Sequence, residues 1–274
     1  LMNGEQPITA MYGVDQVNQA RKPLILVPTT AGTGSEVTPV AIVTTGETTK
    51  SGVVSKQLLP DLAILDAALT VGLPSHITAA TGIDAMVHAI EAFTTKHKKN
   101  PLSDAAALQA LSLLSSNIVE AVQNGANLDA RGNMLLGACL AGQAFANAPV
   151  AAVHALAYPL GGRHHIAHGL SNSLVLIEVL KFNRKACQSM YAQLAKSLEG
   201  CDEFDHEEQQ VDAFISYFEQ LIDTLKLPTT LSQLNIESDP AVLANDAMLQ
   251  QRLLINNRRD VCLDDALAIY RAIL

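Results

Sequence analysis

The segment from Thr81 to Gly169 constrains this chain more than any other, because it sets chargeable side chains where solvent is not expected. It opens with Thr81-Gly82-Ile83-Asp84-Ala85-Met86-Val87-His88, a helical pattern in which Asp84 and His88 stand four residues apart. That spacing puts a carboxylate and an imidazole on one face, one turn apart. His154 and His168 follow in an apolar, glycine-rich stretch. Taken singly, each reads most simply as a hydrogen-bonded core residue, and the Asp84/His88 pair as a helix-face contact. Taken together they argue for more, since an unpaired buried charge is costly and one ion satisfies all four groups at once. An Asp with three His is a complete ligand set for a divalent transition metal, with room left for a substrate oxygen. The pattern is that of a metal-dependent enzyme.

Composition narrows the setting. The 274 residues, 49% hydrophobic and only 16% charged, suffice for an extensive core in one large domain or two small ones. With a net charge of −9 and no basic run beyond Lys96-His97-Lys98-Lys99, the chain makes a poor partner for nucleic acid or an anionic membrane. Cys139, Cys187, Cys201 and Cys262 are scattered and form no CxxC, and no leader-like segment opens the sequence. Both features suit reduced thiols in a cytoplasmic protein. The most apolar stretch, Met134 to Leu160, is interrupted by Gln143, Asn147, Pro149 and His154, so it reads as a buried helix pair and not a membrane span.

In chain order, Leu1 to Arg21 is weakly patterned, and Pro23-Leu24-Ile25-Leu26-Val27-Pro28 suits a buried strand. It runs into Thr29-Thr30-Ala31-Gly32-Thr33-Gly34-Ser35-Glu36. Such a loop either offers donors to a ligand or is a plain turn whose hydroxyls serve its own backbone. Strand patterns recur at Val40–Thr45 and Leu62–Leu65. From Pro74 onward the periodicity becomes helical. Ser75 is placed to cap a helix over about Ile77–Phe93. Two more helices are expected at Ser103–Gln123 and Leu128–Ala146, around an Asn124-Gly125 loop. A short helix carrying His154 should end at Pro159-Leu160-Gly161-Gly162, and another should run from Leu170 to about Phe182. Four or more helices fill the remainder, broken near Gly200, Pro228 and Pro240. His164 and His165 are candidates for a substrate pocket or plain loop residues, while His76, His97 and His206 read as surface. The fold class is therefore mainly α: a partial α/β N-terminal segment (1–72) followed by an all-helical domain (73–274).

Several pieces of sequence resemble the iron-containing (group III) alcohol dehydrogenase family, in the family's order. They are Pro28-Thr29-Thr30-Ala31-Gly32-Thr33-Gly34-Ser35-Glu36-Val37-Thr38, Pro60–Asp66, Ala79–Asp84 with His88–Ala92, Val153–Gly161, His168-Gly169-Leu170-Ser171-Asn172 and Leu263–Leu267. The resemblance implies metal ligands at Asp84, His88, His154 and His168. It also implies a nicotinamide cofactor, NAD or NADP, bordered by Thr29, Thr30, Gly32 and Thr33, with Lys50 near its ribose. The helical part resembles the C-terminal domain shared with dehydroquinate synthase and glycerol dehydrogenase. Three departures stand out. The family's longer N-terminal part, with its GGGS pyrophosphate loop, is not represented in this sequence. Tyr158 stands where several members have an additional His, and Ala167 stands where a proline commonly precedes the last ligand.

The implied activity is hydride transfer between a nicotinamide and a small alcohol or aldehyde. The ion, Fe(II) or alternatively Zn(II), acts there as a Lewis acid on the substrate oxygen, and a homo-oligomer is expected. The rival reading is a metal-binding remnant, inactive or weakly active, that serves only as an oligomeric or interaction domain. A lyase resembling dehydroquinate synthase ranks lower, because the metal-bearing segments offer little cationic side chain beyond Arg163 for a polyanionic substrate.

Overall fold

The structure, a computed structural model, describes residues 6–46, 50–201 and 204–274, with the side chain of Lys50 also outside the description. The strands are short and gathered ahead of Pro74: β1 (Gly13–Val14), β2 (Ile25–Leu26), β3 (Val40–Thr44), β4 (Lys50–Val54) and β5 (Leu62–Ala63). They form a three-stranded sheet in the order β1-β4-β3 and a two-stranded sheet of β2 and β5. β3 and β4 are antiparallel, from Val40 opposite Val54 to Thr44 opposite Lys50, while β1–β4 and β2–β5 are parallel. The β2–β5 pair is strapped by Asp61, which accepts from the Arg21 guanidinium at 2.6 Å and from the Leu24 amide at 2.8 Å. These bonds hold the Asp61 carboxyl down at about 2.

The Pro23–Pro28 run is not the buried strand its composition suggests. Ile25 is 58% exposed and Val27 40%. Among the described residues β2 pairs only with β5, so its apolar side chains, with Leu62 and Ile64, face outward. Of the 3-10 turns in this segment, Ser35–Val37, between β2 and β3, and Ala67–Thr70, after β5, pack against the third of the long helices that follow.

α1 (Ser75–Thr94) is the rod around which the rest is assembled. Ser75 is its first helical residue and not its cap. Pro74 occupies the cap position, and its carbonyl accepts from the amides of Ile77 and Thr78. Alanines and a glycine at positions 79, 80, 82, 85, 89 and 92 give it a slim profile, so helices approach from several sides. A helix apolar all round has to be buried, and α1 packs on α2 (Pro101–Gln123), α3 (Leu128–Asn147) and α5 (His168–Asn183). Asn100, ahead of Pro101, accepts from the Ser103 amide to start α2, and Asn127 accepts from Asp129 and Ala130 to start α3. By length and composition α2 is apolar enough to cross a bilayer. Its buried positions nevertheless recur at helical spacing (Ala107, Ala110, Leu111, Leu114, Ile118, Ala121), and Gln109, Ser112, Ser116 and Glu120 are exposed.

α4 (Ala152–His164) leaves α3 at a bend of 106°, so Met134–Leu160 is a buried helix pair, as its polar interruptions suggest. α4 passes through Pro159 and ends at His164, two residues beyond the expected stop at Pro159–Gly162. The proline forgoes one backbone bond, while burial of Val153, His154, Ala155, Leu156, Ala157 and Leu160 holds the helix together. The remaining helices are α6 (Gln188–Ala195), α7 (Glu207–Thr224), α8 (Pro240–Met248), α9 (Gln251–Leu254) and α10 (Leu263–Ala272). The Tyr270 hydroxyl of α10 donates to the Leu156 carbonyl at 2.6 Å, fixing the end of the chain against α4. None of the four cysteines is in a disulfide.

Candidate metal centre

Three helices bring their side chains to one point beneath the strand-rich segment. α1 contributes Asp84, His88 and Glu91, spaced i, i+4, i+7 along one face. His154 projects from the first turn of α4, and His168 opens α5 with Asn172 one turn later. α5 lies unusually close to α1 because residue 169 is glycine: a Cβ there would stand 2.4 Å from the Ala80 carbonyl oxygen and 3.3 Å from Asp84 Cβ.

Each of Asp84, His88, His154 and His168 offers one donor atom, and all four atoms lie within 4.8 Å of one another. His154 Nε2 is 3.0 Å from His88 Nε2. The same nitrogen is 3.9 Å from Asp84 Oδ1, and His168 Nε2 is 3.6 Å from that oxygen. Two ligands held about 2.1 Å from a shared ion are about 3.0 Å apart at a right angle and about 3.4 Å apart in a tetrahedron. The donor spacings bracket those values, so the residues fit a divalent ion. Asp84, His88 and His154 are buried, while the His168 side chain is 40% exposed. Three of the four ligand side chains are therefore shielded from solvent, and the centre is accessible beside His168.

The surroundings hold these rings in place. Glu91, itself buried, accepts the His154 Nδ1 proton at 2.6 Å and the Val153 amide proton at 2.7 Å. This fixes the tautomer that leaves Nε2 free to ligate. Phe145 stacks on His88 with ring centroids 4.4 Å apart, and Tyr158 tilts over His168 at 6.2 Å. Burial pushes the His88 imidazole down to about 3, so that ring is neutral, as a ligand must be. Burial also favours neutral His154, but the charge and hydrogen bond of Glu91 outweigh it and raise that ring. Burial would raise the Asp84 carboxyl, yet the three imidazoles and the Asn172 amide together hold it below its usual range. His88 Nδ1 is buried beside the Gly32 backbone without a partner of ordinary hydrogen-bond geometry. Two buried carboxyl side chains, Asp84 and Glu91, stand among the histidine rings, a donor set that a divalent cation completes.

The Thr29–Thr38 loop is wedged between this centre and the strands. Gly34 has φ +57°, and a Cβ there would stand 2.5 Å from Gly142 Cα of α3. Gly32 is buried against Thr81, one turn before Asp84. Thr29 and Thr33 are exposed and Thr30 is half-buried. The Thr33 hydroxyl accepts from the Ser35 amide at 3.2 Å, so part of the hydroxyl content does serve the local turn. Lys50 opens β4 at the end of the strand pair, its side chain outside the described residues.

Other histidines stay apart from the cluster. His76, His97 and His206 are exposed. His164 Nε2 lies 2.9 Å from the Ser238 hydroxyl, and His165 is an exposed left-handed cap at φ 55°. Sequence reasoning assigned no role to Glu91 or Asn172. The signals were present in the i, i+4, i+7 series of α1 and the i, i+4 pair His168/Asn172 of α5.

A helical body that gathers one carboxylate and three imidazoles below a small strand segment defines a class of metalloprotein, and the relatives specify it. The C-terminal part of the Fe-containing alcohol dehydrogenase family matches residues 78–274, and its iron-containing alcohol dehydrogenase counterpart matches residues 1–67. The chain belongs to the iron-containing alcohol dehydrogenase family. It is 43% identical over 263 residues to long-chain-alcohol dehydrogenase 1 of Geobacillus thermodenitrificans, covering 96% of this chain and 66% of that relative. A crystal structure of a 1,3-propanediol oxidoreductase superposes with a TM-score of 0.94 at 34% identity, covering 99% of this chain and 71% of the other. Sulfoacetaldehyde reductase from Bifidobacterium kashiwanohense, solved in complex with NAD+, superposes with a TM-score of 0.86 at 29% identity, covering 98% and 70%. The chain thus spans roughly two thirds of the length of the proteins it matches.

Proposed function

We propose that this chain is the metal-dependent part of a nicotinamide-linked dehydrogenase that interconverts small alcohols and aldehydes, with Asp84, His88, His154 and His168 as the ligands. The observation that carries the reading is the convergence of four donor atoms within 4.8 Å, with three of the four side chains shielded from solvent and the centre accessible beside His168. Fe(II) is the first choice of ion, and the same nitrogen-oxygen set accepts Zn(II). When bound, the ion supplies Lewis-acid polarisation of the substrate oxygen, and the cofactor supplies the hydride chemistry.

The protein's own residues do the rest. Asp84 and Glu91 provide the negative charge that offsets the cation. Glu91 orients His154, and Phe145 excludes water from behind His88. Tyr158, over the open side at His168, is in position to shape the substrate's end of the cleft. Thr29, Thr30, Gly32 and Thr33 border the nicotinamide in this reading, with Lys50 toward its ribose. The proximity of Gly32 to Thr81, one turn from Asp84, supports that arrangement. The division into a strand-rich segment (1–72) and a helical metal-binding domain (73–274), a homo-oligomeric state and a cytoplasmic setting belong to the same proposal.

The test is an anaerobic assay with added Fe(II), following nicotinamide absorbance over short alcohols and aldehydes, with Asp84→Ala and His168→Ala as controls. Metal-dependent turnover that disappears in both variants is the expected result. An ion bound by the unaltered chain without turnover or saturable nucleotide binding would replace this reading with that of a metal-binding remnant.

A further inference from the structure

Asn172 sits at the centre of the donor cluster without being one of its ligands. Its side chain is fully buried. Its amide nitrogen lies 2.5 Å from Asp84 Oδ1, 3.3 Å from His154 Nε2 and 3.4 Å from His168 Nε2. The orientation of the amide follows from chemistry: two bare oxygens do not share a contact of 2.5 Å, so the NH2 group faces the carboxylate. Its Oδ1, on the other side, has no hydrogen-bond partner among the described residues. An isolated buried acceptor is a standing cost to the fold. A residue that served packing alone would be apolar here.

We infer that Asn172 is the positioning residue of the metal centre, its amide clamping Asp84 Oδ1 toward the imidazoles so that the ligands are already converged before an ion arrives. The amide donates in the direction from which a cation attracts, and it reaches three of the four ligating side chains. Asp84 is thereby held without a cation by one hydrogen bond from α5, the helix that also carries His168. Removing the clamp frees the carboxylate to rotate, and the ion then has to supply the ordering itself. Outer partners of metal ligands, when removed, typically cost about 10–100-fold in metal affinity.

This inference rests on the metal reading above, and its test separates the two. Zn(II) and Co(II) affinities of the whole chain are measured by competition with a chromophoric chelator for the unaltered protein, Asn172→Leu and Asn172→Ala. Metal-free melting temperatures and the visible spectrum at saturating Co(II) are recorded alongside. Leu is nearly isosteric with Asn and removes the unpartnered oxygen, but it also removes the donor to the buried Asp84 carboxylate, so the metal-free melt of Asn172→Leu should fall, by no more than that of Asn172→Ala. Its affinity for both ions should fall about 10–100-fold, with an altered Co(II) spectrum. Asn172→Ala guards against a leucine that does not fit: it should melt lower because of the cavity and show the same altered spectrum. Affinity and spectrum like those of the unaltered protein in either folded variant overturn the positioning role. So does a loss of affinity that only tracks a lowered metal-free melt while the saturated spectrum stays unchanged. An unaltered chain that binds neither ion overturns the metal reading instead.

Discussion

Replacing Glu91 by Gln keeps an acceptor for the Val153 amide but removes the charge that steadies the His154 ring. Because that carboxylate lies 2.6 Å from Nδ1, Glu91→Gln should weaken ion binding about 10–100-fold while leaving the fold intact. Chelator competition together with circular dichroism checks both halves of the expectation, and an unchanged affinity would remove Glu91 from the centre. Glu91 also shows what the sequence discloses at this scale. Asp84, His88, His154 and His168 were readable because chargeable groups in an apolar stretch need an explanation. Glu91 was equally readable from its spacing, yet a glutamate near the end of a helix reads by default as a solvated face. Asn172 was signalled only by its i, i+4 spacing from His168, and that spacing alone does not tell which side chains of α5 meet α1.

Among the elements, the Thr29–Thr38 loop depends on two glycines that let backbone touch backbone. Gly34→Ala meets both a left-handed φ of 57° and the Gly142 Cα 2.5 Å from the new methyl group. Strain and overpacking together should cost about 2–4 kcal/mol. A thermal melt should show a drop of several degrees, and a melt like that of the parent would mean that the loop sits away from α3. The helices were legible to within a turn because their periodicity is long, although the cap read at Ser75 falls inside α1 and those at Asn100 and Asn127 were not singled out. α4 runs two residues past its expected stop at Pro159–Gly162, since tertiary burial outweighs the one backbone bond that Pro159 removes. The strands were harder. β1 and β2 are two residues each, too short to alternate, and the exposure of Ile25 contradicts what its neighbours' composition suggests.

For the whole molecule, the metal reading ties three helices that are distant in sequence, α1, α4 and α5, to one point. An ion that binds only the folded state adds stability by mass action, about 2.7 kcal/mol at a hundredfold excess over Kd. Stripping the protein with a strong chelator should therefore lower its melting temperature, and restoring Zn(II) should raise it again in a concentration-dependent way. The Asp84→Ala variant should show neither change, and a melt that ignores both chelator and Zn(II) in the parent chain counts against the centre. Fold class and family were visible at this scale from ordered blocks of sequence. The outward exposure of the apolar residues on the strand segment was not, because that depends on tertiary placement and not on local pattern.

α1 carries a further consequence. Most protein interiors suffer when a large side chain is trimmed, because a void opens. Much of this rod, at Ala79, Ala80, Gly82, Ala85, Ala89 and Ala92, has nothing left to trim. Its vulnerability runs in the opposite direction: an added methyl or two forces neighbouring helices apart, and with them the side chains that gather at the centre. Larger side chains at these positions of α1 should therefore loosen the grip of three helices on one another, so the rod tolerates only a narrow range of side-chain sizes.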